Sequence, residues 1–121
     1  MKLPGPDHPI TITPSKDHIT VRFNGKVVAD TRRALVLQEA AYKPVFYIPR
    51  EDAQMGLFER TTNATHCPYK GDASYYTIKV GDRAAENAIW SYETPFPAMK
   101  EIEGHLAFYP NRVDAIEVMP A

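Results

Sequence analysis

Apolar and polar positions alternate most clearly in HITVRFNGKVVAD, residues 18–30, where Ile19, Val21 and Phe23 fall on every second residue. A period of two puts these side chains on one face of an extended strand. Asn24-Gly25 divides the stretch and supplies the positive φ angles of a two-residue turn, so it reads as a β-hairpin. The next segment, TRRALVLQEA, contains good helix formers, and a helix over residues 33–40 is one reading. Its Arg33, Leu35, Leu37 and Glu39 also alternate, and period two would place all four on one strand face. PVFYIP, β-rich and bounded by Pro44 and Pro49, would complete a second strand pair.

PREDAQMGLF carries Pro49 at a first-turn position and Glu51 and Asp52 near a positive helix end, which predicts a short helix. Beyond Asp72, ASYYTIKV, NAIWSYETP, HLAFYP and AIEVMP read as strands, with turn signals at Gly81-Asp82 and Pro110-Asn111 and a helical turn at PAMKEI. Eleven prolines leave little room for a long helix. The pattern therefore predicts a mainly β, antiparallel fold of short strands with one or two short helices, arranged as a small barrel or two packed sheets.

Length and charge narrow the classes. A chain of 121 residues makes one domain, read as an extended segment over 1–17 and a core over 18–118. Its 44% hydrophobic and 24% charged residues are those of a globular protein. A formal charge of -1 offers no field to gather nucleic acid. The prolines before residue 15 argue against a signal helix or membrane span, and a lone cysteine agrees with a reducing compartment, so the expected location is the cytoplasm. Open strand edges allow a monomer or a homodimer.

The candidate chemistry centres on THCPYKGDASYY, where Cys67 lies between His66 and Pro68 and three residues before Lys70. Lowering a thiol from pKa ~8.5 to ~6.5 takes about 2.7 kcal/mol of preference for the anion. An exposed lysine supplies roughly 1 kcal/mol, so Lys70 needs a partly desolvated site or help from a protonated His66. The plainer alternative is a buried, inert thiol. Arg33 and Glu39 could line a polar pocket, Arg33 clamping a carboxylate or phosphate and Glu39 acting as base, or could form a structural pair. Trp90 and Tyr92 share a strand face, with Tyr47, Tyr69 and Tyr75 as further rings for an aromatic wall. Phosphate-loop, dinucleotide and hydrolase-elbow motifs are missing, and the four histidines and one cysteine lack paired zinc spacing, so no metal or cofactor is expected. Three readings remain open: a thiol-centred enzyme using Cys67, Lys70 and Glu39, a module binding a nucleotide-like or carboxylate small molecule, and an inert interaction module.

Five ordered blocks, VVADTRRALVLQEA, PVFYIPRED, THCPYKGDASYY, NAIWSYETP and GHLAFYPNRVDAIE, resemble the domain of unknown function family numbered 427, also filed under a nucleotidyltransferase-like name. The resemblance runs from about Ile19 to Glu117. It implies a small bacterial-type cytoplasmic domain with a mostly β fold similar to the tent of Mss4-like proteins and B-type methionine sulfoxide reductases. The family pattern maps onto Asp30, Arg33, Glu39, Tyr47, Pro49, Thr65, Cys67, Lys70, Gly71, Ala73, Trp90, Tyr92, Phe108 and Asp114, implying that Arg33, Glu39, Cys67 and Lys70 converge. Nucleotidyl transfer, which the family's second name implies, normally needs two or three metal-holding carboxylates beside a Gly-Ser or Gly-Gly turn, an arrangement absent from these residues.

Overall fold

A computed structural model describes residues 1–121. Ten strands follow one another as β1 (Ile10–Pro14), β2 (His18–Phe23), β3 (Lys26–Thr31), β4 (Leu35–Glu39), β5 (Val45–Tyr47), β6 (Phe58–Cys67), β7 (Gly71–Val80), β8 (Arg83–Ser91), β9 (Ala107–Phe108) and β10 (Ala115–Met119). All pair antiparallel, in three sheets ordered β1-β4-β5, β10-β2-β3 and β6-β7-β8-β9. Reciprocal 2.8 Å backbone bonds between Ile48 and Leu106 join β5 to β9. The first and third sheets thus form one broad surface with open edges at β1 and β6, and no barrel closes.

The hairpin forms as its alternation dictates, with Asn24 and Gly25 at φ 49° and 76°. TRRALVLQEA is a strand, but only from Leu35, and β4 pairs with β5. Arg33 precedes it and leaves the shared face: its backbone N–H donates to Thr31 Oγ1 at 2.9 Å. PREDAQMGLF makes two 3₁₀ turns, Arg50–Asp52 and Met55–Leu57, in place of the single helix expected. Ala53 divides them because it is extended (φ -123°, ψ 154°) and bridges to Ala29. β1 and β6 are strands that the alternation did not indicate. β6 is exposed along most of its length, so no apolar stripe marks it.

Two apolar clusters occupy opposite faces of the broad surface. On one side Ile19, Val21, Phe23 and Val28 of the β10-β2-β3 sheet pack with Ile48, Tyr76, Ile78, Ile89, Leu106 and Phe108. On the other lie Leu37, Tyr47, Ala73, Tyr75, Tyr92 and Ala107, sealed at one end by Met99 and Ile102 of a 3₁₀ segment, Pro97–Ile102. Neighbouring residues part company at each strand: Tyr75 from Tyr76, Tyr47 from Ile48, Ala107 from Phe108. Each fully buried aliphatic side chain contributes about 1.5–3 kcal/mol, which makes the first cluster the main source of stability.

Candidate functional site

The second face is sealed at one end and open at the other, where it forms a cleft of about 430 Å³. Glu39, Tyr42, Val45, Tyr47, Cys67, Lys70, Tyr75, Trp90, Tyr92 and Tyr109 line it. Strand register accounts for most of this set. Tyr75 stands opposite Trp90, Leu37 opposite Val45, and Cys67 opposite Gly71. Residues two apart, such as Val45 and Tyr47 or Trp90 and Tyr92, then project to the same side. Lys70 enters from the β6–β7 turn. Gly71 holds φ 114° there and comes close to Pro95 and Phe96, while Phe96 N–H donates to the Lys70 carbonyl at 2.9 Å. The turn is thereby pinned with the Lys70 side chain facing inward.

Lys70 is only 8% exposed, and its ammonium donates to Glu39 Oε1 at 2.5 Å. The second carboxylate oxygen lies 2.7 Å from His8 Nε2. Burial alone would raise the Glu39 pKa, but the bonds from Lys70 and His8 outweigh it and hold the carboxyl below its usual range. The ammonium also sits 5.8 Å from the centre of the Tyr92 ring. Glu39 is followed by Ala40 at φ 47°, a left-handed conformation that costs a non-glycine residue about 1 kcal/mol. Gln38 supports this bend by donating to the carbonyls of Ala40 and Tyr42 at 3.2 and 2.6 Å.

Aromatic rings make the rest of the wall. Trp90 Nε1–H donates to Tyr47 Oη at 3.3 Å, and Trp90 leans on Tyr109 with ring centroids 4.4 Å apart. The Tyr75 hydroxyl bonds with Thr65 Oγ1 at 2.9 Å and meets that of Tyr109 at 3.4 Å. Burial pushes the Tyr47 and Tyr92 phenols up, and burial together with the Tyr75 bond pushes Tyr109 up to about 12. All three stay protonated at neutral pH. The Tyr92 hydroxyl finds no hydrogen-bond partner in the protein, yet it is not a sealed, unsatisfied group; it faces the cleft.

The structure therefore brings Glu39, Cys67, Lys70, Tyr47, Trp90 and Tyr92 together and leaves two expected residues outside. Arg33 is exposed and paired with Asp52 at 3.1 Å, because its backbone turns away before β4 begins. Tyr69 does not line the cleft; its ring stacks on His8 at 4.1 Å and 9°, bracing the imidazole that reaches Glu39. His66 bonds to Asp72 at 2.7 Å on the exposed side of β6, so it is turned away from the Cys67 face. Asp30 and Asp114 serve elsewhere: Asp30 pairs with His18, and Asp114 accepts from Asn24 N–H and Arg83 at the hairpin tip. His8 and Tyr109 are site residues that sequence reasoning did not find. No local signal could have linked His8 to Glu39, which is 31 residues distant and brought near by the β1–β4 register.

No curated protein matches the chain. A family model does match, over residues 11–119, and covers all of the cleft lining and both apolar clusters. On that match the chain belongs to the domain of unknown function family DUF427.

Proposed function

We propose that the cleft is a binding site for a small, uncharged molecule that presents a carbonyl or similar hydrogen-bond acceptor. The observation that carries this reading is the convergence of Lys70 N–H donors and the unpartnered Tyr92 hydroxyl on an aromatic-lined cleft. Such a hollow, apolar in its walls with a few fixed polar groups, suits a ligand whose flat or aliphatic body packs on rings while one end is hydrogen-bonded. Charge argues against an anion. Lys70 is already neutralised by Glu39, and Arg33, the cation expected to clamp a carboxylate, is engaged elsewhere. An anionic group entering here would gain Lys70 and meet Glu39 in equal measure, so a neutral acceptor loses less hydration for the same bonds.

Thiol chemistry is a second reading, favoured by one observation, the presence of half-buried Cys67 in the same wall. Its supporting cast is thin: the nearby lysine is paired and His66 faces the other way. Nucleotidyl transfer is weaker again, because Glu39 is the one carboxylate among the lining residues and both its oxygens are occupied.

Trp90 is the only tryptophan and lines the cleft, so its emission reports occupancy directly. In a titration with matched primary amides and carboxylates of the same skeleton, amides should shift the emission and raise the melting temperature. The corresponding carboxylates should bind at least about tenfold more weakly, equivalent to 1.4 kcal/mol. Lys70→Met and Tyr92→Phe should each abolish the amide response, and Arg33→Ala should not. Retention of binding in Cys67→Ser favours the binding module over the thiol enzyme. A broad set of neutral acceptors that leaves both emission and melting temperature unmoved would end the proposal.

A further inference from the structure

A second hollow of about 300 Å³ opens on the other side of β5 and β9. Ile19 and Val21 form its floor, Phe46, Ile48 and Phe108 its sides, and Ile116 and Val118 of β10 its rim. Unlike the cleft it contains no charged residue and no tyrosine. Val45 and Trp90 belong to the linings of both hollows, so the cleft and the groove lie on either side of these two residues. Val118 at that rim is 40% exposed.

We infer that the natural ligand is amphipathic: an unbranched aliphatic chain carrying a neutral carbonyl-type head, such as a fatty amide. The head lies against Lys70 and Tyr92, and the chain passes Trp90 and Val45 to lie in the groove over Ile19 and Val21. This rests on the reading of the cleft given above and adds the tail to it. The shared Val45 and Trp90 select the occupant. A separate apolar compound would have to enter beside a tryptophan already covered by the cleft's ligand, whereas one molecule with a polar end and an apolar body satisfies both linings at once. A peptide strand is disfavoured within the groove, whose floor and sides offer side chains and not free backbone: β2 is paired on both sides and β5 is paired to β4 and, through Ile48, to β9, which leaves only the outer edge of β10, at the rim, unpaired.

The test is a Trp90 fluorescence titration of the full chain with straight-chain primary amides from butyramide to decanamide, each below its solubility limit. Affinity should climb by about fourfold for each methylene that leaves water, until the groove is filled. Val118→Asp should flatten that climb, as should Ile116→Ser, with unchanged melting curves certifying that each variant is folded; Arg33→Ala should leave the series as it is. Short amides that bind with an affinity indifferent to chain length overturn the tail and leave the cleft reading standing. If no amide of any length binds, the cleft reading fails and the tail with it. Alkanes or alkanols that bind as well as the amides, unaffected by Lys70→Met, overturn the link between the hollows and assign the groove to a separate ligand.

Discussion

The two faces of the broad β surface are built from the same strands and solve opposite problems. On the side facing the β10-β2-β3 sheet, Ile48, Ile78, Ile89 and Leu106 are at most 1% exposed, and the one buried phenol, Tyr76, is satisfied by Glu93 at 2.8 Å and Arg50 at 3.2 Å. On the reverse side the residues immediately next in sequence are Tyr47, Tyr75, Trp90 and Ala107, joined by a buried ion pair and a free hydroxyl. The first face is apolar and tightly buried at its centre, and opens only at the groove bordered by Phe46, Ile116 and Val118. The second packs against Pro97–Ile102 at one end, and at the other the Tyr92 hydroxyl faces the cleft without a protein partner. A strand with period two can thus place most of the buried aliphatic core on one side and a polar, aromatic cleft on the other.

Substitution can break this contrast or sharpen it. The largest effect is expected on the first face: Ile78→Ala should cost about 2–5 kcal/mol in a denaturant titration, and a loss well under that range would mean that the apolar core is not where the stability resides. Glu39→Gln should cost roughly 3 kcal/mol, since it leaves Lys70 buried without its counter-charge. The same carboxylate sets an acid limit. Its pKa is lowered in the folded protein from an unfolded value near 4.5, so its contribution is fully present above about pH 4.5 and disappears as pH falls through the folded value. Urea midpoints for the native protein should therefore drop on acidification below pH 4.5, and Glu39→Gln should lose part of that dependence. Tyr92→Phe should alter stability by less than about 1 kcal/mol while removing ligand binding, because its hydroxyl bonds to nothing in the protein. The smallest effect belongs to Arg33→Ala, within about 0.5 kcal/mol, since an exposed pair with Asp52 adds little.

Much of this organisation was legible in the residue pattern. The odd-numbered row Leu35, Leu37, Glu39 predicted both a strand and a shared face, and Trp90 with Tyr92 predicted an aromatic wall; both follow from the pleat alone. Arg33 belonged to the same arithmetic but not to the strand, because the backbone bends at Thr31–Ala34, and alternation does not reveal where pairing starts. β6 escaped notice for a related reason. A strand with water on both faces needs no apolar stripe, and its extended form comes from pairing with β7. The contribution of His8 depends on the β1–β4 register, a tertiary fact with no local trace.

That water-washed strand also guards the molecule. Between Arg60 and Ala64 β6 slips out of register with β7, so Thr61–Asn63 run where the neighbour offers only Tyr75. The Thr61 hydroxyl donates to Asn87 and accepts from Asn63 N–H at 3.2 Å, occupying an amide that would otherwise point outward. An incoming chain would find a kinked border, already part-engaged and studded with hydrophilic groups, and thus a poor template on which to stack.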